Sequence, residues 1–333
     1  MDRTNFNPLV RVTDLKKLFP VSAGLFRATR DYVHAVDGVS FAIESGKSLG
    51  LVGESGCGKT TTGKLMVRLY DPTSGSIELR LADGNMEDIA RRKGATLKNF
   101  RRRVQMIFQD PYESLNPRRT IFDTVVEPLN VQDIGDIQER QNKVADLLEL
   151  VGLAPAETFM FRFPHELSGG QRQRVAIARA LIVDPSFVVA DEPTSMLDVS
   201  IRIGVMQLMS ELADKFGVSY LYITHDLAVA RYMTQDIAVM YVGKMVEQAE
   251  TEELLAHPLH PYTKALLAAT PVPDPRLGRD PIVIEGGVTK PVNPPARCRF
   301  YDRCPIKDHF CRDNPHPPLE DKGGGHLVAC YKV

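Results

Sequence analysis

The 333-residue sequence has no surplus of either charge: 41 Lys and Arg stand against 42 Asp and Glu, leaving −1. That near balance argues against a general polyanion-binding surface, and nucleic acid is not expected as a partner. Long apolar runs are missing too. No uninterrupted stretch reaches the roughly 18 to 20 residues that a membrane helix needs, and the start, MDRTNFNPLV, lacks the basic-then-apolar layout of a secretory signal. The expectation is a polypeptide that neither spans a membrane nor is exported. Cysteine is scarce, with five in the chain. In a reducing compartment these are metal ligands, reactive thiols or packing residues more readily than disulfides. Hydrophobic residues at 43% and charged residues at 25% exclude a wholly disordered or collagen-like chain. The length suits one large domain with an appendix, or two modest domains.

From residue 1 to about 250, short β-branched or apolar runs alternate with helical patterns, the layout of an α/β domain with a mainly parallel sheet. Candidate strands are Ser48 to Val52, Phe187 to Ala190 and Tyr220 to Thr224. Each runs into a polar or Gly-rich segment, which puts those loops at carboxyl ends of strands, where open α/β sheets bind ligands. From Ile121 to Phe163 the pattern is helical, with Val144, Leu147, Leu148 and Val151 at i, i+3, i+4 and i+7. A helical subdomain is expected over about 110–175. The basic clusters Arg91 to Lys93 and Arg101 to Arg103 read as a solvated helical face. Seven prolines from Pro271 to Pro295 predict an extended connector. Residues 251–333 are expected to form a C-terminal extension ending in a small module.

The segment Gly53-Glu54-Ser55-Gly56-Cys57-Gly58-Lys59-Thr60 fits G-x-x-x-x-G-K-[ST], follows a predicted strand, and opens a helical stretch expected to close at Asp71-Pro72. Glycines let successive backbone N–H groups, with the helix N-terminus, point at phosphate oxygens. Lys59 is expected on the β- and γ-phosphates and Thr60 on Mg²⁺. Cys57 reads as a small filler, although a helix start beside a lysine is expected to lower its thiol pKa. The apolar run Phe187-Val188-Val189-Ala190 ends in Asp191-Glu192. These supply one carboxylate for the Mg²⁺ shell and a second to orient or deprotonate an attacking water.

Between those motifs, Leu167-Ser168-Gly169-Gly170-Gln171-Arg172-Gln173-Arg174 resembles the signature sequence of ABC-type ATPases. Gln109 in Phe108-Gln109-Asp110-Pro111 resembles the family's Q-loop, Ser195-Met196-Leu197-Asp198 its D-loop, and His225 in Ile223-Thr224-His225-Asp226 its switch histidine. All of these elements occur in family order. The resemblance implies a P-loop NTPase, RecA-like core with a helical subdomain. It also implies two cassettes dimerised head to tail, each ATP held between one chain's phosphate loop and the other chain's signature. Implied nucleotide contacts are Gly53, Ser55, Gly56, Cys57, Gly58, Lys59, Thr60 and Thr61, then Ser168, Gly169, Gly170, Gln171 and Asp198 for the partner's nucleotide. Glu192 is the implied catalytic base, His225 meets the γ-phosphate, and Gln109 joins Asp191 and Thr60 around Mg²⁺. Met196 replaces the alanine common in the D-loop, leaving Asp198 in place. An aromatic ring stacks on adenine in such cassettes; Phe19 holds the corresponding place and Tyr32 competes for it.

Three further stretches resemble the ATPase subunits of oligopeptide and dipeptide importers: Gln109 to Pro117, Asp191 to Ser200 and His257 to Pro271. The segment from Phe19 to Asp37 is particularly like the second, F-type ATPase of those systems, which favours a heterodimer with a different ATPase chain. Two transmembrane permease subunits, an extracytoplasmic solute-binding protein and a peripheral place on the cytoplasmic membrane face follow from the resemblance. Relatives that import nickel, opines or sugars leave the cargo open. Soluble ABC proteins are a remoter alternative, since they carry tandem cassettes or a very long insertion. Cys298, Cys304, Cys311 and Cys330 have five, six and eighteen intervening residues, and Arg297 to Pro305 resembles the terminal module of the same ATPases. Zinc sites usually bring a tight C-x₂₋₄-C pair; four Cys ligands also suit an iron–sulfur cluster. The resemblance favours [4Fe–4S], with zinc or a small unligated core as alternatives. His309, His316 and His326 read as surface or packing residues.

Overall fold

The computed structural model describes residues 7–21, 31–81, 83–269, 287 and 290–333. Most of the predicted Pro-rich connector lies outside the described residues. The chain divides into two compact units, one of Met1–Glu44, Ser48–Ala90 and Tyr222–Val333, the other of Ser45–Lys47 and Arg91–Leu221.

In the first unit, β1 (Pro8–Pro20) pairs antiparallel with β2 (Tyr32–Glu44), Val12 opposite Phe41. β3 (Ser48–Val52) is buried along its whole length, as expected of a strand covered on both faces. It feeds α1 (Lys59–Met66). This helix stops well before Asp71-Pro72. Arg68 turns left-handed at φ 56°, the Arg68 N–H donates to the Leu65 carbonyl, and the Leu69 N–H donates to the Lys64 carbonyl. That hydrogen-bond pair is a Schellman ending. An arginine tolerates it here because its buried side chain is tied to the Ile89 carbonyl and Asp71. β4 (Ser74–Arg80) pairs with the other side of β1, and β5 (Met86–Asp88) extends from β4.

In the second unit, α2 (Gly94–Arg103) ends on Arg101, Arg102 and Arg103, cations suited to a helix C-terminus. β6 (Val104–Ile107) follows. Then come α3 (Pro111–Ser114), α4 (Ile121–Gln132), α5 (Ile137–Leu150) and α6 (Ala156–Met160), the predicted helical region. Thr120 with Asp123 and Asp136 with Glu139 form capping boxes at α4 and α5. Val144, Leu147, Leu148 and Val151 are all buried, as their spacing predicts. α7 (Gly169–Leu181) packs on α4 and α5. β7 (Phe187–Asp191) pairs parallel with β6, and α8 (Val199–Phe216) ends at left-handed Gly217. β8 (Ser219–Thr224) leads the chain back to the first unit.

There α9 (Leu227–Met233) precedes β9 (Asp236–Tyr241), which runs parallel to β3 with Val52 opposite Val239. A two-residue turn, Val242-Gly243, joins β9 to β10 (Lys244–Glu250). α10 (Thr251–Ala256), α11 (Pro261–Ala268) and α12 (His309–Asp313) follow. β11 (Glu320–Asp321) and β12 (Leu327–Val328) close the chain, β12 pairing with β10. Phe300 anchors the terminal segment, buried against the rings of Tyr241, Tyr262 and His260.

Candidate functional site

The phosphate loop belongs to the first unit and owes its path to two glycines. A Cβ at Gly53 (φ 156°) would sit 2.2 Å from the Met240 carbonyl oxygen, and one at Gly58 (φ 110°) 2.2 Å from that of Ala35. Only glycine lets this loop wrap so tightly against β2 and β9. Lys59 is buried, its Nζ donating to the carbonyls of Gly53 (2.6 Å) and Glu54 (3.0 Å). Ser55, Gly56 and Thr60 are exposed, and Thr61 is half-buried behind them.

Cys57 differs from the sequence expectation. Burial pushes its thiol pKa up, and neighbouring Lys59 offsets this only in part. With 1% of the residue exposed, loss of hydration outweighs the lysine's field. The filler role holds; an activated thiol does not.

Three contacts to this loop come from residues whose place beside it no motif records. The Gly243 N–H donates to the Cys57 carbonyl at 2.8 Å. The Glu54 N–H donates to the Tyr262 hydroxyl at 2.8 Å. Arg303 donates through both terminal nitrogens to the Glu54 carboxylate, at 2.9 and 3.2 Å. The stretch His257 to Pro271 includes Tyr262, but no spacing in the sequence ties it to a loop about 200 residues earlier. His225 also belongs to the first unit, exposed at the end of β8, where Asp226 caps α9 by accepting from Ala228 and Val229.

The second unit carries the carboxylates. β7 delivers Asp191, buried, and then Glu192, whose backbone is left-handed at φ 45°. Such a conformation costs a non-glycine residue on the order of 1–3 kcal/mol and persists where neighbours hold it. Here the Glu192 carbonyl accepts from both the N–H and hydroxyl of Ser195. Its carboxylate accepts from Gln109 Nε2 at 3.0 Å. Gln109 follows β6, the strand paired with β7, so strand register sets this contact. Gln109 and Glu192 thus meet at neighbouring strand ends, with Asp191 the last residue of β7.

The signature opens α7. Ser168 Oγ accepts from the Gln171 N–H and Gln171 Oε1 accepts from the Ser168 N–H, a capping box that leaves the serine O–H able to donate outward. Ser168 is exposed, and Gly170 packs where a Cβ would lie 2.6 Å from Ile201. Arg172 is buried, donating to the Pro164 carbonyl and lying 3.9 Å from the Tyr112 ring centroid. Met196 and Asp198 are exposed at the turn before α8.

Phe19 and Tyr32 occupy neighbouring rungs of the β1–β2 ladder. Phe19 meets Tyr70 edge-on at 5.5 Å, with Lys17 Nζ 5.1 Å from its centroid, while Tyr32 is exposed.

In the terminal segment Arg299 pairs with Asp37, and buried His326 with buried Glu247 at 2.7 Å. Burial pushes the Cys298 thiol up to about 11, with Cys304, Cys330 and Cys311 near enough to add to the shift. Among the described residues no three His, Cys, Asp or Glu side chains form a group that could hold a metal ion. His326 and His316 are packing residues, while His309 is on the surface. No helix among the described residues is long and apolar enough to cross a membrane.

These arrangements agree with what the chain resembles among known proteins. The family model described as ABC transporter matches residues 36–195, and that for the oligopeptide/dipeptide transporter C-terminal region matches 246–311. The oligopeptide transport ATP-binding protein AppF of Bacillus subtilis is 45% identical, covering 99% of each chain. The dipeptide transport ATP-binding protein DppF of Haemophilus influenzae is 45% identical, covering 98% of this chain and 97% of that one. Among solved structures, the ATP-binding cassette MJ0796, a dimer in a post-hydrolysis state bound to ADP and Pi, aligns with a TM-score of 0.62 at 28% identity. That alignment covers 73% of this chain and 98% of the cassette. The chain therefore belongs to the ABC transporter family, as an ATPase of its oligopeptide and dipeptide branch.

Proposed function

We propose that the chain couples binding and hydrolysis of MgATP to uptake of oligopeptides or dipeptides, as one of two ATPase subunits seated on the cytoplasmic face of a membrane permease. The observation that carries this reading is the end-to-end likeness to peptide-transport ATP-binding proteins, joined to the hydrogen bond by which Gln109 holds the Glu192 carboxylate. Lys59 exchanges its two carbonyl partners for β- and γ-phosphate oxygens, a stronger charge-assisted pairing. Thr60, Gln109 and Asp191 are the residues that would hold Mg²⁺, which when bound would neutralise charge on the phosphates. Glu192 accepts the proton of the attacking water, and His225 donates to the γ-phosphate. Phe19 is the proposed adenine-stacking ring. Ser168, Gly169, Gly170, Gln171 and Asp198 serve the nucleotide of the partner cassette, a second, different ATPase chain. Residues 1–250 form the working cassette in this reading, and residues 251–333 its extension.

Delivery of cargo falls to an extracytoplasmic binding protein and translocation to two permease subunits. Co-purification from membranes, identification of the associated chains, and ATP turnover of the reconstituted complex with and without peptides test the proposal. Turnover stimulated by peptide supports it; turnover that answers only to nickel or sugars overturns the cargo assignment.

Cys298, Cys304, Cys311 and Cys330 are proposed to hold a [4Fe–4S] cluster, zinc being the alternative. Support comes from the donor set, four cysteines between Cys298 and Cys330; burial raises the thiols of Cys298, Cys304 and Cys311, so ligation there would require proton release. A bound centre supplies a cross-link to a segment with little apolar content. Anaerobic purification with iron, sulfide and zinc analysis tests it, and a fully folded module free of all three rules it out.

A further inference from the structure

Glu54 is the one acidic residue of the phosphate loop, and its N–H and its carboxylate are both taken by the chain's C-terminal part. Its N–H donates to Tyr262 on α11, and its carboxylate receives the two-pronged Arg303. Neither partner is a loose surface group. Tyr262 is fully buried, and the Arg303 side chain is 12% exposed, its guanidinium 5.7 Å from the Tyr241 ring centroid. Phe300, three residues before Arg303, fixes the segment in the same aromatic core as Tyr241 and Tyr262. Burial works against the Arg303 charge, but the hydrogen bonds to Glu54 and Tyr241 outweigh it and raise its pKa further. The guanidinium is thus a permanent cation built in beside the loop.

The physical problem it addresses is electrostatic. The Glu54 carbonyl already accepts from Lys59 Nζ, so this carboxylate belongs to a residue in direct contact with the lysine proposed to receive phosphates. An uncompensated carboxylate there opposes a polyanionic nucleotide and competes for Lys59. We propose that Arg303 is a positioning residue of the phosphate loop: by pairing with Glu54 it neutralises the loop's own carboxylate and holds it away from Lys59, while Tyr262 fixes the same residue's backbone. The C-terminal extension is then part of the nucleotide site, acting through Glu54. This rests on the loop being the ATP site, and ATP binding by the wild-type chain, measured alongside, checks that separately.

The test is ATP affinity of the full-length chain by calorimetry. Arg303→Met keeps the aliphatic stem and removes the charge, and is expected to weaken ATP binding about tenfold. Adding Glu54→Gln to it restores affinity to within about twofold, because the carboxylate needing neutralisation is gone. The deficit of the single variant shrinks as salt rises, since screening weakens the repulsion. Unchanged affinity in Arg303→Met, or a loss that Glu54→Gln leaves in place, overturns the proposal and reduces Arg303 to a structural contact. Should Arg303→Met not fold, Arg303→Lys alone and with Glu54→Gln gives the same comparison, with an expected loss of about threefold and the same rescue.

Discussion

Gln109 donates through Nε2 to Glu192 Oε2 at 3.0 Å, joining the segment after β6 to the residue after β7. One side chain thereby fixes the direction of a carboxylate whose backbone is itself held in a left-handed conformation. Glu192 is held from two sides, by Gln109 at its carboxylate and by Ser195 at its carbonyl.

Glu192→Gln keeps the contact's shape and removes the carboxylate proposed as the base. ATP binding is expected to persist while turnover falls roughly 10²- to 10⁴-fold. Gln109→Ala leaves the base but frees its orientation, and costs about tenfold in turnover with affinity retained. Steady-state ATPase assays beside nucleotide-binding titrations check both, and equal turnover in Glu192→Gln and the wild type removes Glu192 from its role.

Lys59→Ala acts on binding instead. It loses the charge-assisted contacts to phosphate, and ATP affinity is expected to drop by about ten- to a hundredfold. A variant that binds ATP as the wild type does contradicts the loop assignment.

Cys57 is expected to react slowly in the folded chain, because burial raises its thiol pKa and hides its sulfur. Cys57→Ala should bind ATP within about twofold of the wild type. Mass spectrometry of a timed alkylation, native against denatured, reads the first expectation. Rapid modification of Cys57 in the native chain contradicts it.

Acid should destabilise the fold through His260. Burial lowers its pKa to about 3 from an ordinary 6.5, and its Nδ1 accepts from the Tyr262 N–H. Below 6.5 the unfolded chain takes up a proton that the folded chain refuses. This contribution is therefore complete above pH 6.5 and is lost as pH falls toward 3, at about 1.4 kcal/mol per pH unit. His260→Asn keeps a capping acceptor without the titration. Thermal melts from pH 7 to 4 should show a shallower decline in the variant, and parallel declines exclude His260 as a source.

Much of the site was legible because its chemistry is local. A phosphate loop needs glycines and a lysine within eight residues, and β3 before it and α1 after it begin where the pattern says. The same holds for the signature, where Ser168 and Gln171 cap each other across one helical turn. The end of α1 departs from the sequence expectation because a proline marks only where a helix cannot continue, whereas Arg68 stops it earlier through a buried side chain anchored on Ile89 and Asp71. The Cys57 thiol shifts opposite to the sequence expectation for a related reason: sequence shows the neighbouring charge and hides the depth of burial.

The ordered motifs from Gly53 to His225, and with them the family and the reaction, were determined by sequence alone, since each is a short run whose spacing is its chemistry. Only the tertiary structure decided that Glu54 meets Arg303, 249 residues away, and rests on Tyr262. Pairings of that range depend on the path of the returning chain and on a shared aromatic core, and no local periodicity records either.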